Sequence, residues 1–309
     1  MGVKALVADA QGAAGVRVGE VPEPVPERDE VLVEVLHASV NFGEMRYAAY
    51  RPPGTVMGHD AAGVVLRAAA DGTGPPAGSR VVAFGPGAWA QQAVFGTGSV
   101  AEVPEQVDLA EAAALPMTGI TALRTLRAAG PILGRRVLIT GASGGVGRIA
   151  VQLARLGGAH VIASVGSPAR GAGLAELGAD EVVVGLDTIG RPVDVVLENV
   201  GGPHLVAAWG LLGPGGNLQS IGWASGEPAV FPPNSTFGLG PARTLSSFGD
   251  VTDTGPDLAT LVGLLARGEL SAEVGWRGAW DLVAEAADAL FARRIPGKAV
   301  LDIPPLRDA

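Results

Sequence analysis

The sequence predicts an α/β fold in which a β-rich N-terminal part is followed by a doubly wound parallel sheet. Short apolar runs separated by proline and glycine turns fill roughly the first 105 residues, as expected for strands joined by tight turns. Strand and helix patterns then alternate, and this order indicates a parallel sheet with helices on both faces. Within that stretch, a β-branched run at 137–140 leads through a glycine-rich turn into a helical pattern.

The elements are assigned in chain order from these patterns. Strands are predicted in the β-rich part at 5–8, 31–36, 63–66 and 81–84. Helical turns follow at 112–115 and 120–126, with an interruption at Pro116. Further strands are predicted at 137–140, 160–165, 182–184, 193–198, 216–221, 244–248 and 298–303. Helices are predicted at 146–156, 170–177, 203–212, 257–267 and 280–292, and a long loop at 225–241.

Composition limits the class of protein. At 309 residues the chain suits two domains, and 48% of its residues are hydrophobic, enough for sizeable cores. No apolar run reaches the ~18 residues of a membrane span, and the N-terminus lacks a signal-peptide layout. From these two features we expect a cytoplasmic protein, and the net charge of −9 argues against nucleic-acid and anionic-membrane partners. The lack of cysteine excludes disulfides, thiolate nucleophiles and thiolate-dependent zinc sites.

The glycine-rich turn predicts dinucleotide binding because it lies between a strand and a helix. Its spacing is Ala142-x-Gly144-x-x-Gly147, with alanine in place of the first glycine of the usual G-x-G-x-x-G. Gly144 lets backbone approach a pyrophosphate, and Gly147 lets the helix pack closely on the strand. The N–H groups at the helix start then hold the phosphates. The alternative is a glycine-rich turn that only packs a helix.

Several segments together resemble one family. They are 39–42 (Ser-Val-Asn-Phe), 58–65 (Gly-His-Asp-Ala-Ala-Gly-Val-Val), 112–123, 140–147 (Thr-Gly-Ala-Ser-Gly-Gly-Val-Gly) and 297–301 (Gly-Lys-Ala-Val-Leu). The chain resembles the medium-chain dehydrogenase/reductase superfamily, in its zinc-free quinone oxidoreductase and enoyl reductase branch. The resemblance implies a GroES-like catalytic domain at 1–113 and 256–309, a Rossmann NADPH-binding domain at 114–255, a cleft where they meet, and a homodimer.

The end of the second strand of the parallel sheet predicts which dinucleotide binds. An NAD enzyme places Asp or Glu there for the ribose 2′-hydroxyl, whereas Val165 is uncharged. Ser164, Ser167 and Arg170 instead supply donors that suit a 2′-phosphate, so NADPH is favoured. The alternative is that Ser167 only caps a helix and Arg170 is solvated. A tyrosine that often follows the third strand in related quinone reductases is replaced here by Gly185.

Further cofactor contacts follow from the turn, from the resemblance and from the strand ends, where open α/β sheets bind ligands. The residues assigned in this way are Thr118, Ala142, Ser143, Gly144, Gly145, Val146, Gly147, Asn199, Ile221, Gly222, Phe248 and Lys298. For Lys298 two interpretations stay open, a contact with a cofactor phosphate or a plain surface charge. His59 and Asp60 match a metal-ligand segment of zinc members, but no further ligand lies near them in sequence, so we expect no metal.

The chemistry expected from this branch is hydride transfer to a small conjugated carbonyl substrate, either a quinone or an enone/enoyl compound. Tyr50 and Tyr47 lie where the resembling enoyl reductases carry a candidate proton donor, and Asn41 is expected to hydrogen-bond the substrate carbonyl or the nicotinamide ribose. The alternatives are rings that only pack a loop and a turn asparagine. A second function class also fits, a nucleotide-binding, non-redox scaffold or pathway protein with the same fold.

Overall fold

The computed structural model describes residues 2–306. Its strands are β1 (Gly2–Ala8), β2 (Val16–Pro22), β3 (Glu30–Val40), β4 (Asp60–Arg67), β5 (Arg80–Phe84), β6 (Gln92–Gly96), β7 (Val100–Glu102), β8 (Arg136–Ile139), β9 (His160–Val165), β10 (Glu181–Val184), β11 (Val193–Glu198), β12 (Leu212–Ser220), β13 (Thr244–Ser247), β14 (Val274–Ala279) and β15 (Lys298–Asp302). Its α-helices are α1 (Phe42–Arg46), α2 (Leu109–Ala113), α3 (Pro116–Ala128), α4 (Gly145–Leu156), α5 (Gly202–Gly210), α6 (Gly255–Ala266) and α7 (Val283–Phe291). None of these helices combines the length and hydropathy needed to cross a bilayer.

The chain divides into two compact units. One comprises the residues up to Ile120 together with those from Val251 onward, and the other comprises Thr121–Asp250. The domain limits implied by the sequence, 113/114 and 255/256, stay a prediction, and the packing boundaries lie a few residues from them.

The unit of residues 121–250 is built on a six-stranded sheet in the order β10-β9-β8-β11-β12-β13. Every neighbouring pair of strands in it is parallel. The order of the strands along the chain reverses between β8 and β11, and ligands bind such sheets at the carboxyl ends of the strands beside a reversal of this kind. Leu138, Val196 and Leu218 are fully buried in its core. The predicted doubly wound parallel sheet is confirmed.

The other unit is β-rich and uses both ends of the chain. Its seven-stranded sheet has the order β14-β15-β3-β4-β5-β7, with β6 also paired to β3. The C-terminal strand β15 runs antiparallel to β3, and Ala299 lies opposite Val40. Trp89 and Phe95 are among the largest side chains buried in this unit. The pairing of β15 with β3 places Lys298 beside the start of α1.

Several sequence-based assignments differ from the structure. The helix predicted at 170–177 is wrong, because the chain forms a 3₁₀ turn at Pro168–Gly171 and then irregular turns. Gly173, inside this range, has φ +78°, a conformation that a regular helix does not contain. Pro116 begins α3 instead of interrupting a helix, as proline does readily in a first helical turn. The strands β2, β6, β7 and β14 had no predicted counterpart, since each becomes a strand by pairing with a distant segment.

Candidate functional site

The glycine-rich turn connects β8 to the first residue of α4. Gly144 is the N-cap of α4, and Gly144, Gly145 and Val146 are partly exposed, while Ala142 and Ser143 are buried. A Cβ atom at Gly147 would lie 2.5 Å from Cα of Ala142, so only glycine allows the helix this close to the turn. A Cβ atom at Gly144 would meet nothing nearer than 3.4 Å. The turn therefore offers the open end of a twelve-residue helix, where N–H groups and the helix dipole favour an anion.

Arg170 lies beside this turn. Its Nη2 donates to Oγ of Ser143 at 2.9 Å, and its Nη1 lies 3.0 Å from where a Cβ atom of Gly166 would be. Gly166 directly follows β9, so the guanidinium group lies at the end of the strand that the sequence analysis singled out. Ser167 makes no side-chain capping hydrogen bond, which argues against the capping alternative. Ser164 is buried and donates its hydroxyl to the carbonyl of Gly185 at 2.8 Å, so that group already serves the fold.

The carboxyl ends of β11, β12 and β13 bring together the remaining candidates of this unit. Asn199 Nδ2 donates to the Thr140 carbonyl at 2.9 Å, and the N–H groups of Ile221 and Gly222 donate to the Glu198 carbonyl at 2.8 and 3.2 Å. Phe248 directly follows β13. Asn199, Ile221 and Gly222 therefore lie together at the carboxyl end of the parallel strands.

Glu198 holds the backbone at this carboxyl end of the strands, and it was not selected from the sequence as a site residue. Its side chain is fully buried and accepts from the Thr140 hydroxyl at 3.0 Å. It also accepts from the backbone N–H groups of Val200 at 3.1 Å and Gly201 at 2.8 Å. A buried charge needs such donors, so Glu198 fixes the loop that follows β11. The available signal was a glutamate that directly follows the apolar run 195–197 at the end of β11.

The β-rich unit contains a buried polar cluster around Asp60. Lys298 Nζ donates to Asn41 Oδ1 at 2.6 Å and to the Val40 carbonyl at 3.2 Å, and it forms an ion pair with Asp60 Oδ2 at 3.4 Å. Asn41 Nδ2 and the Ser39 hydroxyl donate to the same Asp60 oxygen at 2.9 and 2.6 Å. Lys298 is only 3% exposed, so the surface-charge interpretation is wrong. Its contact with a cofactor phosphate stays a prediction, although each ammonium N–H already has an acceptor.

The other candidates of this unit, Thr118 and the two tyrosines, differ in the burial and hydrogen bonding of their side chains. Thr118 is buried and donates its hydroxyl to the Ala114 carbonyl at 2.9 Å. Tyr47 is 54% exposed and Tyr50 is 84% exposed, so neither ring is a core residue. The structure therefore joins Asn41 and Lys298 in one cluster and leaves both tyrosines on the surface. Among residues 2–306, no three His, Asp or Glu side chains are grouped so that they could hold a metal ion.

Comparisons with known proteins agree with this architecture. The family described as "Alcohol dehydrogenase GroES-like domain" matches residues 27–108, and the family "Zinc-binding dehydrogenase" matches residues 145–262. Together the two matches cover well over half of the chain. The predicted GroES-like and doubly wound parts are thereby confirmed as a fold class.

Individual relatives fall into two groups. The chain is 34% identical over 229 residues to a phenolphthiocerol/phthiocerol polyketide synthase subunit of Mycobacterium tuberculosis. This match covers 66% of the chain and 10% of that protein. The chain is 38% identical over 192 residues to the chloroplastic quinone-oxidoreductase QR1 of Triphysaria versicolor, which covers 56% of the chain and 57% of that protein. The matched region thus spans about a tenth of one relative and just over half of the other.

One solved structure is similar over nearly its full length. The mycobacterial protein Rv1454c, solved in complex with NADPH, has a TM-score of 0.86 and 26% identity, covering 97% of this chain and 99% of that one. The chain therefore belongs to the medium-chain dehydrogenase/reductase superfamily of oxidoreductases, in its zinc-free quinone oxidoreductase branch.

Proposed function

We propose that this protein is an NADPH-dependent reductase of small conjugated carbonyl compounds, either quinones or enone/enoyl substrates. The observation that carries the proposal is the position of Arg170, which is hydrogen-bonded to Ser143 of the glycine turn at the end of a strand that closes with an uncharged valine. A guanidinium group there suits a 2′-phosphate, whereas a carboxylate at that place would suit a free ribose hydroxyl.

The turn itself fits the pyrophosphate of a dinucleotide. Its backbone from Gly144 to Val146 is partly exposed, and a Cβ atom at Gly144 would make only ordinary contacts. We assign the nicotinamide end of the cofactor to Asn199, Ile221 and Gly222, which lie at the carboxyl end of the strands near Glu198. Phe248 lies next to them. The bound cofactor would supply the hydride, and the protein residues bind and orient it.

The substrate class is supported by the relatives and by the β-rich unit. The relatives include a quinone oxidoreductase and a polyketide synthase, and reduction of a conjugated carbonyl is common to quinone and enoyl substrates. Asn41 donates one N–H of its amide to Asp60, and the other N–H has no partner among residues 2–306. We assign that N–H to the substrate oxygen, where negative charge develops as hydride arrives at carbon. Thr118, Tyr47 and Tyr50 remain proposed contacts.

The experiment is turnover with a panel of acceptors. Purified protein should oxidise NADPH when given simple quinones or α,β-unsaturated ketones and thioesters, with a much lower kcat/KM for NADH. Tight NADPH binding without oxidation across the panel would contradict the reductase proposal and favour the non-redox, nucleotide-binding alternative. Failure to bind NADPH at all would contradict both functions.

The assembly is also proposed as a cytoplasmic homodimer. β13 lies at the edge of the six-stranded sheet and exposes Leu245, and the long loop before it exposes Val230, Phe237 and Leu239. An unpaired strand edge beside apolar side chains suits pairing with a second copy of the chain. Light scattering should give a dimer mass, and Leu245→Arg should shift it toward a monomer.

A further inference from the structure

A histidine and a carboxyl group form a hydrogen-bonded pair beside the buried polar cluster of the β-rich unit. His59 Nδ1 lies 2.7 Å from Glu44 Oε1, and the Glu44 side chain is only 6% exposed. Glu44 Oε2 accepts the backbone N–H of Asn41 at 2.9 Å. One buried carboxyl group therefore fixes both the backbone of the proposed oxygen-binding residue and the ring of the histidine.

The second ring nitrogen of His59 is left for another partner. Because Nδ1 is held by Glu44, Nε2 is the nitrogen left for another partner, and it has no hydrogen-bond partner among residues 2–306. The side chain is 32% exposed, and its ring stacks on Phe84 at a centroid distance of 5.9 Å. A carboxyl group behind one nitrogen fixes the tautomer and the orientation of the ring, as in acid–base pairs of enzymes.

The electrostatic surroundings keep this imidazole protonated more readily than usual. The hydrogen bond to Glu44 raises the pKa of His59 above its usual 6.5, against the opposing effect of burial. The charge of Asp60 raises it further, and the guanidinium of Arg51 lowers it. At neutral pH a larger share of His59 therefore carries a proton on Nε2 than an unperturbed histidine would.

The two tyrosines assigned from the sequence suit a proton donor less well. Their rings are more than half exposed, and neither phenol has a hydrogen-bond partner among residues 2–306. A phenol also has a pKa near 10, whereas a general acid works best with a pKa near the operating pH. The ring of His59 is held by its hydrogen bond to Glu44, and the same bond raises its pKa above 6.5.

We propose that His59 is the proton donor of this reduction and that Glu44 is its positioning residue. The inference rests on the proposed reductase function. Hydride from NADPH adds to the β-carbon, the C=C electron pair moves onto the α-carbon and the conjugated oxygen, and the α-carbon takes the proton from Nε2–H. The cofactor is oxidised, the substrate is reduced by two electrons, and His59 becomes neutral until solvent reprotonates it through its exposed face. With a quinone, the same proton ends on oxygen.

The test compares three variants. His59→Gln removes the acid but keeps a polar side chain of similar length. His37→Gln is the matched control, because His37 also pairs through Nδ1 with a carboxyl group, that of Asp302 at 2.8 Å, in the same unit. Glu44→Gln keeps an oxygen acceptor but removes the charge. Circular dichroism and a cooperative urea transition confirm that each variant is folded, and an unchanged Kd for NADPH shows that the 121–250 unit is intact.

The expected results separate catalysis from structure. His59→Gln should lower kcat by about 100-fold or more with KM nearly unchanged, the range for loss of a general acid. His37→Gln should leave kcat unchanged. With an α-methyl enone in D2O, the native protein should deliver deuterium to one face of the α-carbon, and His59→Gln should give a mixture of both. Glu44→Gln should shift the alkaline limb of the pH–rate profile to lower pH, and NMR of the His59 ring in free protein should show the same fall in pKa.

Each outcome decides a different statement. An active native protein whose His59→Gln variant keeps full kcat and single-face labelling overturns the His59 assignment while leaving the reductase function intact. Loss of activity in Tyr50→Phe with His59→Gln still active overturns it as well. If the protein reduces only quinones, no α-carbon is labelled, so the His59 assignment is tested by kcat and the pH–rate profile alone. An unchanged kcat in His59→Gln then overturns it. A native protein that oxidises no NADPH overturns the proposed function, and this inference falls with it.

Discussion

Reversing the charge of Arg170 should remove most of the preference for NADPH over NADH. Arg170 Nη2 is hydrogen-bonded to Ser143 Oγ at 2.9 Å, which holds the guanidinium at the glycine turn. We predict that Arg170→Glu weakens NADPH binding strongly and leaves NADH binding nearly unchanged. The reason is that NADPH differs from NADH only by the 2′-phosphate, and this phosphate is the group assigned to Arg170.

The size of the effect follows from the bonds that are lost. Each hydrogen bond from a charged donor contributes about 1.5–3 kcal/mol, and a guanidinium at this place can give the phosphate one or two. Since about 1.4 kcal/mol is a factor of ten, the Kd for NADPH should rise by at least ~10-fold and by more than ~100-fold if two bonds are lost. The glutamate adds repulsion toward the dianion, which salt weakens.

The assay is a pair of titrations on each protein. Kd values for NADPH and NADH are measured by quenching of tryptophan fluorescence, and kcat/KM is measured with both cofactors on one acceptor. Arg191→Glu is the control, because it makes the same charge change on an exposed residue of the same unit. If Arg170→Glu weakens NADPH and NADH equally, the guanidinium does not bind the 2′-phosphate and the assignment is wrong.

Three further predictions follow from the packing. Gly147→Ala should destabilise the 121–250 unit by about 1–3 kcal/mol, because its Cβ would lie 2.5 Å from a backbone atom of the turn; an unchanged Tm would contradict this. Lys298→Met should cost about 3–5 kcal/mol in urea unfolding, because it leaves the fully buried Asp60 without its ion pair, and a loss under about 1 kcal/mol would show that this pair matters little. The pKa of His59 is raised above 6.5 in the folded state, so its pairing with Glu44 should stabilise the fold fully below pH 6.5 and progressively less as pH rises through the folded pKa. The difference in urea midpoint between native protein and Glu44→Gln should therefore be larger at pH 6 than at pH 9. An equal difference at both pH values would refute this prediction.

The fold was largely readable from local patterns. The alternation of apolar runs and helical periodicity between 137 and 248 predicted the parallel sheet, and the strand–turn–helix at 137–156 was located within a few residues. The helix predicted at 170–177 is wrong because its apolar periodicity was outweighed by Gly173, whose positive φ angle breaks the helical backbone. The short strand β14 contains two glycines, which disfavour strand structure, so its pairing with a neighbouring strand decides that it becomes a strand.

The candidate site divides in the same way. The glycine turn, the end of β9 and Arg170 lie within about thirty residues of each other, so a strand–turn–helix pattern was enough to bring them together. Asn41 was selected from the sequence, but its partner Lys298 lies 257 positions away and its environment could not be predicted. The spacing of Asn41 and Glu44 did contain a signal, since a glutamate three residues after a helix N-cap commonly returns to the cap.

The sequence by itself therefore determined the sheet, the anion-binding turn and the absence of an acidic group at the end of the second strand, because these features depend on residue types that are close together in the chain. Only the tertiary structure decided which charges are buried and which groups they meet. The return of the C-terminal strand β15 to β3 places Lys298 against Asp60 and Asn41, and α1 places Glu44 against His59. The acidity of a side chain depends on its neighbours in space, so no pattern along the chain could have shown that Glu44 raises the pKa of His59.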